Sequence, residues 1–74
     1  MDKKKISVIG LGYIGLPTAA LLANKGFQVE GIDIDQSIVD TVNSGKIHIV
    51  EPNLENYVKK AVKEKCLHAS LTPS

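Results

Sequence analysis

The sequence contains no arginine, no tryptophan and a single cysteine among its 74 residues. A nucleic-acid surface is therefore not expected, because such surfaces rely on clustered basic side chains and bidentate arginine contacts. The formal net charge of only +1 agrees with that exclusion. One cysteine cannot form an internal disulfide framework, so a reducing cytoplasm is the expected compartment.

What the sequence does contain is a glycine pattern, Gly10-Leu-Gly-Tyr-Ile-Gly15, directly after the apolar run Ile6–Ile9. In such a turn the first glycine permits a sharp bend, and the second lets the backbone approach a pyrophosphate. The third lets the following helix lie close to the strand. A pyrophosphate would meet the N–H groups and the positive dipole end of a helix beginning near Ile14.

An acidic residue, Asp33, ends the second apolar run, Val29–Asp33. A carboxylate at the end of the second strand can accept hydrogen bonds from the adenine ribose hydroxyls, and it repels a 2′-phosphate. Asp33 follows Gly15 at close to the roughly 20-residue spacing of the dinucleotide fingerprint. NAD is therefore the predicted cofactor; glycines that serve only helix packing are the alternative.

Hydrophobic periodicity predicts alternating strands and helices along the chain. The predicted strands are Lys5–Ile9, Gln28–Asp33 and Leu67–Leu71, and the predicted helices are Ile14–Asn24, Gln36–Ser44 and Leu54–Lys65. Right-handed crossovers arrange the strands in the order 3-2-1. The expected fold class is α/β, a partial Rossmann fold of three parallel strands with helices on both faces.

The N-terminus also imitates a secretory signal peptide, because Lys3-Lys4-Lys5 precede the uncharged stretch Ile6–Ala23. Glycines and Pro17 interrupt that stretch at the positions where the turn needs them. We therefore favour a folded segment over the signal-peptide alternative, and we expect no membrane span.

Several other residues have simpler interpretations. Asp35 and Asn53 are predicted N-caps of the second and third helices. Cys66 is predicted to pack at a helix-to-strand junction, and catalysis by it is not expected. His48 and His68 are not spaced as a metal pair, so no metal site is predicted. His48 is a surface histidine or, alternatively, a contact with the cofactor or a further domain.

The length of the chain matters because a complete dinucleotide-binding domain needs roughly twice as many residues. Residues 1–74 are therefore expected to be the N-terminal portion of such a domain in a larger enzyme. The first strand, which is central in the complete fold, would be a sheet edge here. Its unpaired backbone groups form a template for a second chain, so we expect a homo-oligomer, with a dimer joined at this edge or through exchanged elements.

The segment Ser7–Ala23 resembles the opening of the UDP-glucose/GDP-mannose dehydrogenase family. Glu51-Pro52 is a second marker of that family and lies outside the generic fingerprint. Within the family, the strings Ile47–Pro52, Asp33–Gln36 and Asp40–Asn43 most resemble the members whose substrate is UDP-N-acetyl-D-mannosamine.

This resemblance implies an NAD-dependent oxidation of a nucleotide sugar's primary alcohol to a carboxylate, in two hydride transfers, for cell-envelope polysaccharides. The family's catalytic cysteine, lysine and aspartate and its sugar-binding domain correspond to positions beyond residue 74, so no catalytic residue is expected in this chain. The cofactor-binding positions that the resemblance transfers are Gly10, Gly12, Tyr13, Ile14 and Gly15 around the pyrophosphate, and Asp33 on the ribose.

Two departures from the family pattern are informative. Ile38 stands where UDP-glucose dehydrogenases often place a lysine near the ribose, which weakens the UDP-glucose alternative. Glu64 and Lys65 stand where a glycine turn is common, so the third helix is expected to run slightly long. A non-catalytic nucleotide-sensing domain of a potassium transport system is the other alternative, and Glu51-Pro52 argues against it.

Overall fold

The computed structural model describes residues 4–73, so Lys3 of the N-terminal basic run lies outside the described residues. The elements in chain order are β1 (Lys5–Ile9), α1 (Gly15–Asn24), β2 (Gln28–Ile32), α2 (Gln36–Asn43), α3 (Leu54–Lys63) and β3 (Leu67–Ser70). Every predicted strand and helix is present. No helix between residues 4 and 73 has the length and apolar character needed to cross a bilayer.

The three strands form one parallel sheet in the order β1-β2-β3. Parallel neighbours require crossover connections. Helix α1 connects β1 to β2, and α2 and α3 connect β2 to β3. The predicted α/β Rossmann class and strand order are therefore confirmed.

The described helices pack on one face of the sheet. Val29 pairs in register with Leu67, and Gly31 with Ala69, and all four residues are buried on this face. When successive crossovers have the same handedness and each leads to the next strand in the same direction, their helices lie on the same side of the sheet. On the opposite face the exposed strand residues are Lys5, Ser7, Ile9 and His68. Helices on that second face do not occur within residues 4–73.

The core lies between this sheet face and the helices. Its largest fully buried side chains are Leu11, Leu16, Val29, Val42 and Val58. Small residues on α1, including Ala19, Ala20 and Ala23, are also buried. Their size allows α1 to lie close to β2 and α3, which it contacts.

Asn43, the last residue of α2, closes the outer edge of β3. Its side-chain amide donates to the Ala69 carbonyl at 2.8 Å and its side-chain oxygen accepts from the Ala69 N–H at 2.8 Å. The amide therefore pairs with β3 much as a neighbouring strand would. Such a contact protects an edge strand from pairing with another chain.

The two predicted helix caps have different outcomes. Asp35 is the N-cap of α2, and its carboxylate accepts from the Ser37 N–H at 2.8 Å, so this prediction is confirmed. Asn53 occupies the N-cap position of α3 but makes no side-chain capping hydrogen bond, so that prediction is wrong. The backbone of Asn53 has φ 65°, a left-handed conformation that asparagine tolerates better than most residues.

Lys65 ends α3 in a way that the sequence pattern did not predict. The helix stops at Lys63 rather than running long, and Lys65 adopts a left-handed backbone with φ 61°. Its N–H donates to Val62 and the Cys66 N–H donates to Ala61, which is the Schellman pattern of hydrogen bonds. Lys65 therefore adopts the conformation that glycine usually supplies. Cys66 is buried, which confirms the packing prediction.

We predict that Lys65→Gly stabilises the chain by about 1 kcal/mol, because glycine takes the left-handed conformation without a Cβ penalty. Urea denaturation followed by circular dichroism measures the free energy of unfolding. Lys60→Gly is the matched control and should destabilise by about 1 kcal/mol, since Lys60 is an exposed residue in the interior of α3. Equal losses of stability in the two variants would contradict the prediction.

Candidate functional site

The turn after β1 begins at Gly10, which has φ +87°. Its N–H donates to the Ile32 carbonyl at 2.7 Å, so the first residue of the turn continues the pairing of β1 with β2. A side chain in this left-handed conformation would be strained. The fold itself therefore requires glycine at this position.

Gly15, the first residue of α1, is required for a different reason. A Cβ added there would lie 1.6 Å from the carbonyl oxygen of Gly10. Because that contact involves backbone, it cannot be relieved by rotating a side chain. The third glycine thus allows the start of α1 to approach the end of β1, as the sequence analysis predicted.

Gly12 differs from both. A Cβ added there meets no atom of residues 4–73 within 4 Å, and its φ lies outside the left-handed range. Gly12 is also exposed. No contact or backbone strain among the described residues demands glycine at this position, and this is the property expected of a glycine that lets a ligand approach the backbone.

Leu11, between the first two glycines, is a site residue that the sequence analysis missed. Its side chain is fully buried. A Cβ added to Gly31 on β2 would lie 2.7 Å from a Leu11 methyl carbon, so Gly31 makes room for the leucine. The available signal was an apolar residue in the turn and a glycine in the second strand. Neither has a fixed sequence spacing.

Asp33 follows β2, and its carboxylate bonds two backbone N–H groups. Oδ2 accepts from Leu11 at 3.0 Å and Oδ1 accepts from Asp35 at 3.0 Å. These two bonds lower the pKa of Asp33 below its ordinary value, the bond from Leu11 most strongly. Partial burial and the nearby Asp35 carboxylate oppose the lowering, and His48 adds to it. Asp33 therefore stays ionised.

Tyr13 and Ile14 complete the turn and are exposed by 70% and 83%. Ile14 is the N-cap of α1 and supplies no side-chain hydrogen bond, and the first turn of α1 holds no acidic residue. The positive end of the helix dipole is thus not compensated by a side chain of α1. A groove over the turn is lined by Val8, Ile9, Gly10, Gly12, Tyr13, Ile14, Gly15 and Thr18.

The structure brings all six predicted cofactor residues to one edge of the sheet. The turn follows β1 and Asp33 follows β2, and the carboxyl ends of neighbouring parallel strands lie side by side. Cys66 precedes β3 and so lies at the opposite edge. Within residues 4–73, no group of three or more histidine, cysteine, aspartate or glutamate residues is placed to hold a metal ion.

His48 and the Glu51-Pro52 marker lie in the connection between α2 and α3. His48 is exposed, and its charge helps to lower the pKa values of both Asp33 and Asp35. Glu51 and Pro52 line a groove together with residues of α1 and α3, namely Pro17, Ala20, Leu21, Leu54 and Tyr57. The marker thus lies beside the N-terminal and central turns of α1, and the glycine turn precedes the N-terminal end of the same helix.

A family model described as the NAD binding domain of the UDP-glucose/GDP-mannose dehydrogenase family matches residues 4–73. The chain belongs to this family. The family resemblance stated from the motifs is therefore confirmed. NAD as the predicted cofactor is confirmed with it, because the matched domain is the NAD binding domain.

Individual relatives agree with the family assignment. A UDP-N-acetyl-D-mannosamine dehydrogenase from Escherichia coli is 63% identical over 73 residues, which cover 99% of this chain and 17% of that protein. An NDP-N-acetyl-D-galactosaminuronic acid dehydrogenase from Ralstonia nicotianae is 53% identical, with the same coverage of 99% and 17%.

A solved structure supports the fold directly. The UDP-N-acetyl-mannosamine dehydrogenase from Staphylococcus aureus matches with a TM-score of 0.92 at 41% identity, covering 96% of this chain and 17% of that chain. The chain thus spans about a sixth of the length of the relatives it matches, namely 17%.

The lowered pKa of Asp33 predicts a specific pH dependence of stability. A carboxylate whose folded pKa is depressed stabilises above its unfolded pKa, and this contribution is lost as pH falls through the folded pKa. The free energy of unfolding of the unmodified chain should exceed that of Asp33→Asn at neutral pH. The difference should shrink below about pH 4, because a protonated aspartate resembles asparagine.

Urea denaturation of both chains between about pH 7 and pH 2 measures this difference. A difference that is independent of pH would mean that the Leu11 and Asp35 bonds do not favour the charged form of Asp33.

Proposed function

We propose that this chain binds NAD across the carboxyl ends of β1 and β2, as the N-terminal portion of the dinucleotide-binding domain of a nucleotide-sugar dehydrogenase. The observation that carries the proposal is the contrast among the three glycines. Gly10 and Gly15 are demanded by the fold, whereas Gly12 is demanded by nothing within the described residues. A ligand that approaches the backbone closely explains the glycine.

The proposed contacts divide the cofactor into two parts. The pyrophosphate lies over the turn, near Gly10, Gly12, Tyr13, Ile14 and Gly15, where backbone N–H groups and the α1 dipole favour negative charge. The adenine ribose lies beside the turn and its hydroxyls donate to the Asp33 carboxylate. A 2′-phosphate at the same place would face that negative charge, so NAD is favoured over NADP.

We predict that Gly12→Ala lowers the affinity of the 74-residue chain for NAD by at least about tenfold, because the new methyl group occupies the approach to the pyrophosphate. The variant should keep its stability or gain up to about 1 kcal/mol, since alanine restricts the unfolded chain. Titration with NAD followed by ¹H–¹⁵N NMR measures the affinity.

Gly15→Ala is the matched control for the substitution. It should destabilise the fold through its contact with Gly10, which Gly12→Ala does not make. A Gly12→Ala chain that binds NAD as tightly as the unmodified chain would place the pyrophosphate elsewhere and overturn the proposed site.

We propose UDP-N-acetyl-D-mannosamine as the substrate of the complete protein, oxidised to the uronic acid with two NAD. The relatives described above at 63% and 53% identity both carry N-acetylated sugars in their names. The UDP-glucose alternative is weaker, because Ile38, partly buried against the core, occupies the position where UDP-glucose dehydrogenases often place a lysine near the ribose. The nucleotide-sensing alternative has no support in the family match, which is to a dehydrogenase domain.

The complete protein is expected to reduce two NAD for each UDP-N-acetyl-D-mannosamine consumed. Absorbance at the NADH maximum measures the rate. Parallel assays with UDP-glucose give the preference for the sugar, and parallel assays with NADP give the preference for the cofactor. A higher kcat/KM for UDP-glucose would overturn the proposed sugar, and a preference for NADP would overturn the role of Asp33.

We further propose a cytoplasmic location and self-association of this chain through the β1 edge. In a parallel ladder the bonded groups alternate along the strand. The Lys4 carbonyl accepts from β2 and the Gly10 N–H donates to it, so the even-numbered residues between them turn their backbone groups toward β2. Ser7 is odd-numbered, and its N–H therefore points away from β2. The opposite edge is already covered at Ala69 by Asn43.

Analytical ultracentrifugation should therefore show a dimer of the 74-residue chain. A chain assembled with an N-methyl group on Ser7 should be a monomer, because that edge loses a donor and gains bulk. The same group on the exposed loop residue Ile34 is the control. A monomeric unmodified chain at high concentration would contradict the proposal.

A further inference from the structure

The Asp33 carboxylate joins two loops that are far apart in sequence. It accepts from Leu11 in the glycine turn, 22 positions earlier, and from Asp35 in the loop before α2. Both bonds measure 3.0 Å and both donors are backbone N–H groups. The carboxylate is thus held in one orientation before any ligand is considered.

The same bond constrains the turn. The turn is attached to β2 by the bond from Gly10 to Ile32, by the buried Leu11 side chain and by the bond from Leu11 to Asp33. Only the last of these involves a polar side chain. Like the buried Leu11 side chain, this bond acts on the residue directly before the exposed Gly12.

The Asp33 carboxylate can bind the two backbone N–H groups and the ribose hydroxyls at the same time. An ionised aspartate offers about four lone-pair sites on its two oxygens. Two of these accept the backbone N–H groups of Leu11 and Asp35. The remaining sites are enough for the two hydroxyls of a ribose, so binding the turn does not prevent Asp33 from binding the cofactor.

We propose that Asp33 is a positioning residue for the pyrophosphate turn as well as the ribose ligand. The inference rests on the proposed NAD site and deepens it. Through Leu11, the carboxylate holds the backbone donors of the turn in the geometry that the pyrophosphate needs. A preorganised site avoids the cost of ordering the loop on binding. Removing Asp33 therefore weakens contacts that do not involve the ribose.

The test uses NAD and an NAD analogue whose adenosine ribose lacks both hydroxyls. Binding of each to the folded 74-residue chain is followed by ¹H–¹⁵N NMR for the unmodified chain and for Asp33→Ala, which leaves no side-chain acceptor for the Leu11 N–H. The variant should bind the analogue about fivefold to tenfold more weakly than the unmodified chain does, since the turn is no longer held. Equal affinity of the two chains for the analogue would overturn the proposal.

Asp35→Asn is the control for charge. It removes a neighbouring negative charge, but asparagine still caps α2. It also leaves the Asp35 backbone N–H in place for Asp33. This variant should bind the analogue as the unmodified chain does. A loss equal to that of Asp33→Ala would mean that net charge, and not the bond to Leu11, explains the effect.

A second measurement separates the inference from the proposed function. Amide hydrogen exchange of Leu11 without ligand should be about tenfold faster in Asp33→Ala, while Gly10, bonded to Ile32, keeps its protection. If neither chain binds NAD, the proposed function fails, and this exchange result still decides whether Asp33 holds the turn. Unchanged exchange at Leu11 would show that it does not.

Discussion

The packing of Leu11 over Gly31 is the contact on which the geometry of the site depends. The leucine is fully buried, and the absence of a side chain on Gly31 is what admits it. Burial of a leucine side chain contributes about 1.5–3 kcal/mol. With this anchor, Leu11 ties the turn to the core, while Gly12 and Tyr13 after it face solvent.

The parallel sheet places the anchored turn next to Asp33. Because β1 and β2 are parallel neighbours, the turn and Asp33 follow them at the same edge. Helix α1 begins there as well, and Gly15 brings its positive end close to the strand. Hydrogen-bond donors suited to an anion therefore lie beside a carboxylate suited to hydroxyls. A dinucleotide carries both kinds of group, and this is the physical basis for proposing that NAD binds at this edge.

The one thiol of the chain lies far from the proposed cofactor site. The only thiol, Cys66, is buried near the amino end of β3, at the edge opposite the turn. Residues 4–73 thus supply a platform for a cofactor, and we assign no bond-breaking step to them.

The sequence by itself determined the elements, their order, the glycine pattern, the acidic residue and the family, because each is encoded by short-range spacing. It also predicted the Asp35 cap, which involves neighbours along the chain. Only the tertiary structure decided the burial of Leu11, the double hydrogen bond of Asn43 and the bond from Leu11 to Asp33. These contacts join residues that are distant in sequence, so no local pattern specifies them. The left-handed Lys65 was missed for a related reason, since the Schellman bonds of the helix end override a residue's own preference.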